Sequence, residues 1–494
     1  MNHNKYILSL TTLALAFCMA LPVGAGEEKR EEKGLPFEAE YLPPDGWQNV
    51  QWQDPGHWKT IDMTQHGCKP NDETIDAAAK VREILAKNKQ GNLLLYFPAG
   101  VFYLNSDLEI RRDNVRIAGA GHDKTTLLIN TKSEDNGEVA FIGGETGKPV
   151  KVIGTHKRGD KSIQVASVEG LEKGDFVQLS NKDPKAWGIP EQSQIFRILS
   201  VSGGTLELDM KLGIDFSYYP SIRKLELVEN VGIEKVHVRR VRAAKGEITA
   251  NINFERAFNG FARDCESSKL VRGGVAANCS RNIVVERCFI HHAFGYGGGG
   301  QAYGILFNCG ATNCRATNNK LWYLRHHIQL AIGANHCVIS YNSCEPTCPG
   351  GFDCHIHGFF VHNSLFEGNT GSQLGSDSRG SSSGKYVAFY RNRFDTVYST
   401  TKKGASHFLF AGNIARKEDH INTRKIQHVA QVENSWDEND SKPTETRLPP
   451  SLYLKEQPAF LEGLSWPVFG PGAKEGDQIL PAKSRAKPSD QHSK

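Results

Sequence analysis

Short apolar segments that end in a turn recur through the second half of the chain. They occupy residues 283–287, 314–319, 337–342, 365–369, 387–392 and 408–413. The last five end at an asparagine, and intervals of 23, 27, 23 and 21 residues separate Asn319, Asn342, Asn369, Asn392 and Asn413. Short strands with a period in the twenties are typical of a solenoid. We therefore expect the asparagine side chains to stack and to hydrogen-bond from one turn to the next.

A second set of apolar segments lies between the first, at residues 303–307, 328–332 and 356–360. Their first residues are 25 and 28 positions apart, so they share the period of the asparagine turns. Two interleaved sets of strands with one period predict the coils of a parallel β-helix, because a β-sandwich would show no fixed period. The main coils are expected between residues 226 and 420.

The N-terminal half begins with a helical pattern that is followed by short strands. Residues 71–74 can cap a helix. Apolar side chains with helical spacing follow at Ile75, Ala78, Val81, Ile84 and Leu85. A buried strand is predicted at residues 93–97, and further short strands are predicted at residues 101–104 and 115–117.

The order of these elements resembles the entry segment of the pectate-lyase-like β-helix superfamily. In that superfamily a capping helix precedes a strand that ends in Phe-Pro-Ala-Gly, then another strand, then a Gly-x-Gly turn. The matching residues run from Asp72 to Gly121, and the two motifs lie at residues 97–100 and 119–121. The resemblance implies an all-β, right-handed parallel β-helix with an N-terminal capping helix. It also implies a secreted protein that acts on polysaccharides.

The chain divides into five predicted regions. Short strand patterns at residues 161–165, 174–179 and 205–208 interrupt the repeat and indicate a small β-rich insertion. The regions are a signal peptide at 1–25, the N-terminal cap and first coils at 26–144, the insertion at 145–225, the main β-helix at 226–420, and a C-terminal extension at 421–494. The end of this extension is rich in Lys, Pro and Ser, so we expect it to be disordered.

The first residues have the parts of an export signal. Lys5 is followed by an apolar run at residues 7–21 and by small residues at 23–25. No later segment has about 18 consecutive apolar residues, so we expect a soluble, secreted or periplasmic monomer without membrane insertion. The net charge of +4 permits an acidic polysaccharide as partner. The basic residues are dispersed, so nucleic acid is not an expected partner.

Ten of the eleven cysteines lie outside the predicted signal peptide. An even number of cysteines in an exported protein favours disulfide bonds, although the pairs cannot be assigned. The alternative is that several of them are small buried side chains in a stacked core.

Three histidine-rich segments fall between the two strand sets, at residues 291–296, 323–327 and 353–357. Equivalent positions on successive coils stack about 4.8 Å apart, so these segments should form one surface. Strand alternation places Ile328 and Ile356 in the core, which puts His327, His355, His357 and Asp353 outside. The same alternation points His326 inward.

The residue types on this surface fit a lyase that acts on a uronate-containing glycan. Such a lyase removes the proton next to the uronate carboxylate and expels the 4-linked sugar, as the resemblance implies. The reaction needs a cation for the carboxylate, a base, and a proton donor for the leaving oxygen. The predicted catalytic residues are Arg325 as cation, His327 or His355 as base, Tyr323 as donor, and His357. The predicted substrate-binding residues are His292, Tyr296, His326, Asp353 and Arg379.

Two other functions and two metals remain open. A glycoside hydrolase would need two carboxylates, and Asp353, Asp377 and Asp395 are candidates. A non-catalytic carbohydrate-binding protein would need no such groups. One run of the chain is rich in Cys and His: Cys344, Cys348, Cys354, His355 and His357. Such a run could suggest zinc, but its spacing matches no standard zinc motif, so no metal-ligating residue is predicted. No cofactor is required, although calcium could bridge protein and uronate.

Overall fold

The computed structural model describes residues 34–132, 137–182, 185–186, 188–244, 250–298, 300–348, 351–377, 382–400, 404–416, 421–422, 426–435, 446–474 and 478–485. Only the backbone is described at residues 185–186, 398–400 and 421–422. From Leu35 onwards these residues belong to one compact unit. The predicted signal peptide and the predicted disordered end lie outside them.

Three ladders of parallel strands wind around one apolar core. The first ladder, sheet 1, consists of Lys59–Asp62, Leu93–Phe97, Val115–Gly119, Val228–Glu234, Ala257–Arg263, Arg281–Glu286, Arg315–Thr317, Val338–Ser340, Leu365–Glu367, Ala388–Tyr390, Ser406–Ala411 and Gln427–Val432. Two short strands, Val361–His362 and Gly384–Lys385, join it beside Ser406–Ala411.

The other two ladders follow sheet 1 in each coil. Ladder 2 consists of Gly100–Leu104, Thr125–Ile129, His237–Arg240, Glu266–Leu270, Phe289–Ala293, Lys320–Trp322 and Ser343–Cys344. Ladder 3 consists of Leu108–Ile110, Val139–Ile142, Ala250–Glu255, Gly273–Asn278, Tyr303–Asn308, His326–Leu330 and Phe352–His357. The two ladders merge at Thr370–Asp377, and they continue through Arg393–Thr400 to Ile414–Ala415 and Ile421–Asn422.

This arrangement confirms the predicted parallel β-helix but adds a third ladder. The sequence pattern predicts two strand sets, which correspond to sheet 1 and ladder 3. Ladder 2 has strands as short as Lys320–Trp322 and Ser343–Cys344. Two or three residues are too few to show an alternation of apolar and polar positions. Among the longer strands of ladder 2, only Gly100–Leu104 coincides with a predicted strand, at residues 101–104.

The predicted helix at the N-terminal end of the β-helix is present as Ala77–Lys87. Its cap is Asp76, whose carboxylate accepts a hydrogen bond from the backbone N–H of Ala78 at 3.1 Å. The cap therefore lies after the predicted residues 71–74. Short 3-10 helices lie at Ala39–Tyr41, Met63–His66, Ala459–Leu461 and Pro481–Ser484. Every helix in the described part of the chain is too short or too polar to cross a membrane.

Between residues 144 and 226 the chain leaves the β-helix and forms a closed, antiparallel barrel. Its six strands are Gly144–Ile153, Ser162–Val165, Phe176–Ser180, Ser193–Ser202, Thr205–Leu208 and Ser221–Glu226, and the pair Lys185–Ala186 and Ile189–Pro190 lies beside them. Several hydrogen bonds attach the barrel to the β-helix, among them two from Arg281 to Asp209, at 3.0 and 2.6 Å. Phe360 packs in the core of the barrel, not in the β-helix core that its sequence position predicts.

An asparagine ladder follows the turn between sheet 1 and ladder 2. Asn342 Nδ2 donates to Asn369 Oδ1 at 2.9 Å, and Asn369 Nδ2 donates to Asn392 Oδ1 at 3.0 Å. The predicted stacking is thus confirmed. It extends one coil beyond the predicted set, because Asn413 donates to Asn434 at 3.0 Å.

The cysteines form stacked thiols, and no disulfide bond is present among the ten that the structure describes. The Sγ atoms of Cys344 and Cys354 are 4.0 Å apart, twice the length of a disulfide bond of about 2.05 Å. Other thiols interact in pairs on neighbouring coils: Cys265 with Cys288, Cys279 with Cys309, and Cys314 with Cys337. The disulfide prediction is therefore wrong. In-register coils point their cysteines in the same direction, so the thiols pack side by side.

Segments from both ends of the chain cover the outer face of sheet 1. Tyr41 and Trp47 pack against apolar side chains of four strands, and the Trp47 indole N–H donates to the carbonyl of Asn363 at 2.7 Å. Leu448 belongs to the same apolar cluster. These segments cover the outer face of sheet 1 at the four strands from Val338–Ser340 to Ser406–Ala411.

Candidate functional site

The three histidine-rich segments meet where ladder 2 turns into ladder 3. The ring centroids of His292 and Tyr323 are 5.7 Å apart, and those of Tyr296 and Tyr323 are 5.2 Å apart. One coil further, the rings of His326 and His355 stack at 4.8 Å. The structure therefore brings together residues that the sequence separates by about 60 positions.

Two side chains of this region face the opposite way from the sequence prediction. His327 and Asp353 are 0% exposed and lie inside the β-helix. The position of Gly304, on the preceding coil, also faces inward, because a Cβ there would lie 2.4 Å from Leu321 Cδ2. In the strand His326–Leu330, the two consecutive residues His327 and Ile328 both face inward, which breaks the strict alternation.

The same irregularity turns His326 outward. Its ring packs between those of Tyr303 at 5.1 Å and Phe352 at 5.6 Å, its partners in the strand register. The predictions that His327 and Asp353 lie outside are therefore wrong. His326 is buried, with 1% of its surface exposed, but it lies on the outer face of its strand and not on the predicted inner face. A shift of one residue moves a side chain to the other face of a strand.

Asp353 is surrounded by hydrogen-bond donors that give it a structural role. Its carboxylate accepts hydrogen bonds from the backbone N–H groups of Ser372 and Gln373, from Thr347 Oγ1, and from His327 Nδ1 at 2.6 Å. Such a buried pair holds the bend of one coil against the next. Neither His327 nor Asp353 reaches the surface, so in this structure neither can contact a polysaccharide.

His355 and His357 lie on the outer face of ladder 3 with Asp377, and these three residues form the His355 cluster. His357 Nδ1 is 3.1 Å from the Asp377 carboxylate, and His355 Nε2 is 3.7 Å from it. Burial, together with the charge of His326, lowers the pKa of His355 well below its usual range. His355 is therefore neutral at physiological pH and cannot serve as a cation for a uronate.

Four residues at the turn between the two ladders form a more accessible surface, which we call the tyrosine patch: His292, Tyr296, Tyr323 and Arg325. Tyr323 is 39% exposed, and the other three are half-buried. Arg325 Nη1 lies 3.4 Å from the hydroxyl of Tyr303, and its guanidinium lies 5.8 Å from that ring centroid. Burial raises the pKa of Tyr296, whose hydroxyl accepts a hydrogen bond from the Ala293 N–H at 3.0 Å.

A chain of hydrogen bonds leads from a carboxylate to the tyrosine patch. Glu266 Oε1 lies 3.0 Å from His291 Nε2, and His291 Nδ1 lies 2.8 Å from His292 Nδ1. Burial raises the pKa of Glu266, but hydrogen bonds from His122 and His291 outweigh this and hold it well below the usual range. Glu266 is therefore ionised at neutral pH.

Sequence reasoning missed Glu266, His122 and His237, which surround the start of this chain of hydrogen bonds. His237 Nε2 lies 3.5 Å from Glu266 Oε1, and burial lowers its pKa to about 4. Glu266 lies 25 residues before His291. The period of the coils could have found it, because a residue one period upstream belongs to the neighbouring coil. The predicted substrate ligand Arg379 lies outside the described residues.

Two large cavities lie away from these residues. One of about 640 Å³ is lined by Asp215, Tyr218 and Tyr386, and one of about 490 Å³ is lined by Lys151, Arg223 and Arg256. Both border the barrel. Neither cavity is lined by a residue of the tyrosine patch.

No family model and no curated protein matches this sequence. Among solved structures, the tailspike protein gp49 from Pseudomonas phage LKA1 is similar with a TM-score of 0.56 and 14% identity, over 76% of this chain and 79% of that one. The Pseudomonas phage phi297 tailspike gp61 is similar with a TM-score of 0.53 and 14% identity, over 78% and 73%.

The chain has the right-handed parallel β-helix fold of these tailspikes. The fold expected from the pectate-lyase-like superfamily is confirmed. An identity of 14% establishes the fold and leaves the reaction to be argued from the residues themselves.

Proposed function

We propose that this protein is an exported enzyme that cleaves a uronate-containing polysaccharide by β-elimination at the tyrosine patch. The observation that carries the proposal is the chain of hydrogen bonds from Glu266 through His291 to His292, which ends beside Tyr323. The expected partner is an acidic polysaccharide, and the expected form is a monomer. Export rests on the signal-like residues 1–25, and no cofactor is assigned to the elimination.

The hydrogen-bonded chain supports His292 as the base. Ionised Glu266 accepts the Nε2–H of His291, and the Nδ1 lone pair of His291 then accepts the Nδ1–H of His292. This tautomer puts the remaining lone pair of His292 on Nε2, the state in which imidazole removes a proton. The base thus moves from His327 or His355, the sequence-based candidates, to His292.

Arg325 and Tyr323 complete the requirements of the reaction. The Arg325 guanidinium pairs with the uronate carboxylate and stabilises the charge that develops when His292 removes the proton at C5. The bond between C4 and the leaving oxygen then breaks, and a C4–C5 double bond forms. Tyr323 gives its hydroxyl proton to the leaving oxygen. A glycoside hydrolase is less well supported, because Asp353, one of its candidate acids, is buried and fully hydrogen-bonded.

The test is ultraviolet absorbance of the 4,5-unsaturated product against a panel of acidic polysaccharides. His292→Gln and Tyr323→Phe are expected to lower kcat about 100-fold or more, the usual contribution of a positioned acid or base. Arg325→Gln should also raise KM, because it removes a contact to the carboxylate. Matched controls are His66→Ala and Tyr219→Phe, two exposed residues far from the patch, which should retain full activity.

A second variant separates positioning from chemistry. Glu266→Gln should keep the fold and shift the pH profile of kcat, because the amide no longer fixes the charge state and tautomer of His291. Full activity in the His292, Tyr323 and Arg325 variants would reject the site. New reducing ends without ultraviolet absorbance would indicate a hydrolase, and retention on a polysaccharide gel without any product would indicate a binding protein.

A further inference from the structure

We infer that His355, His357 and Asp377 form a binding site for one divalent transition-metal ion, with a fourth position left for water or an oxygen ligand. None of its three ligands belongs to the tyrosine patch, and the proposed elimination uses none of them. Its three ligand atoms lie within 4.8 Å of one another.

The β-helix places these ligands by strand register. His355 and His357 are two positions apart on Phe352–His357, so both side chains lie on the same outer face. Asp377 is the register partner of His357 on the next coil, and the partner of His355 is Gly375. Because Gly375 has no side chain, no side chain from that position lies beside His355.

The distances match those of a small tetrahedral ion. Ligand atoms about 2.0–2.1 Å from a zinc ion in tetrahedral geometry are about 3.3 Å from each other. The carboxylate of Asp377 is 3.1 Å from His357 Nδ1 and 3.7 Å from His355 Nε2, on either side of that value. The third distance, between the two histidine nitrogens, is at most 4.8 Å, so side-chain rotations that bring these atoms to about 3.3 Å would close the site around an ion.

The burial of His355 and its lack of hydrogen-bond partners are the second observation that points to a ligand. Its side chain is 0% exposed, and neither ring nitrogen has a hydrogen-bond partner. A buried polar atom without a partner costs about 1–3 kcal/mol, so it calls for an explanation. A metal ion on Nε2 supplies the missing partner. The ring is already held in place, because it stacks on Phe352 at 4.4 Å and on His326 at 4.8 Å.

The donor set selects the kind of metal. Two imidazoles and one carboxylate suit zinc and similar divalent ions, whereas calcium takes six to eight oxygen ligands. The calcium suggested by the sequence therefore does not fit this cluster. Cys344 and Cys354 do not contribute, because both thiols lie in the apolar core of the β-helix. His357 and Asp377 are 13% and 25% exposed, so the fourth position faces solvent.

The test is metal binding by the full chain without a purification tag, freed of metal with a chelator. Calorimetric titration with Zn²⁺ should reveal one site, and Co²⁺ should give the visible absorption bands of a tetrahedral complex. Asp377→Asn and His357→Gln should each lower the affinity for Zn²⁺ at least about 100-fold, since loss of a supporting residue alone costs 10–100-fold. Asp395→Asn, on the next strand, is the matched control and should bind like the wild type.

Circular dichroism of the metal-free variants shows whether they are folded. His357 is partly exposed, so His357→Gln should fold and decides the question if Asp377→Asn does not. The inference is overturned if the wild type takes up no Zn²⁺ above the level of the His357→Gln variant, or if all variants bind equally. Polysaccharide cleavage does not enter this measurement, so the metal site and the proposed function can fail separately.

Discussion

Removal of one amide from the middle of the asparagine ladder tests whether this ladder holds the coils together. Asn369 is fully buried and takes part in four side-chain hydrogen bonds. Its Nδ2 donates to the Ile339 carbonyl at 2.8 Å and to Asn392 Oδ1 at 3.0 Å. Its Oδ1 accepts from the backbone N–H of Asn342 at 3.1 Å and from Asn342 Nδ2 at 2.9 Å. Asn369→Ala removes all four.

The expected loss follows from the number of bonds and from the burial of their partners. At about 1 kcal/mol for each hydrogen bond, Asn369→Ala should lower the free energy of unfolding by about 4 kcal/mol. The buried N–H of Asn342 cannot find water as a replacement, so the loss should not fall much below this value. Urea unfolding followed by tryptophan fluorescence measures it as a shift of the midpoint at a common slope.

Asn434, at the end of the same ladder, is the matched control. It takes part in three bonds, to Asn413 and to the carbonyl of Phe410, but it is only partly buried. Water can replace part of its bonds, so Asn434→Ala should cost about 1–2 kcal/mol. A loss for Asn369→Ala no larger than that for Asn434→Ala would refute the argument that burial makes the central amides essential.

Two further predictions concern buried titratable groups. Burial raises the pKa of Glu367 to about 7, so the folded protein keeps this proton after the unfolded chain has lost it. The contribution of Glu367 to stability is therefore greatest below about pH 4.5 and falls by about 3 kcal/mol as the pH rises to 7. Burial also raises the pKa of Glu138 to about 7, so the urea midpoint should fall between pH 5 and pH 8 in both proteins but less in Glu367→Gln than in the wild type. Equal falls in both would contradict the contribution of Glu367. Because the described cysteines are free thiols, a reducing agent should leave the thermal midpoint unchanged. A thiol reagent should count ten thiols after denaturation of the chain without residues 1–25, and a count below ten would indicate a disulfide.

The repeat was readable in the sequence because each coil uses the same residue at the same place. Asn342 and Asn369 mark one turn of successive coils, and an amide that both donates and accepts is the side chain that this buried turn requires. The N-terminal helix was readable from its apolar spacing, although Asp76 and not an earlier residue caps it. Ladder 2 was readable only at its first strand, Gly100–Leu104, and its strands Lys320–Trp322 and Ser343–Cys344 are too short to carry a pattern.

The sequence predicted which segments meet at the candidate site, but it did not predict which way their side chains point. The coil period brings His292, Tyr323 and His355 to one region, as expected. Strict alternation then fails in the strand His326–Leu330, where His327 and Ile328 both point inward. The sequence analysis missed Glu266 because no other candidate residue lies near it in the sequence. The fold places Glu266 on the coil that precedes the coil of His291, where its carboxylate contacts the His291 ring.

The sequence by itself determined the solenoid, its period and the stacking of its asparagines, since these depend on contacts that repeat between neighbouring coils. Only the tertiary structure decided which imidazoles are sealed inside, which thiols stack without bonding, and which carboxylate pairs with which histidine. Those outcomes depend on local breaks in the strand register, and a break of one residue reverses a side chain without leaving a mark on the hydrophobic pattern.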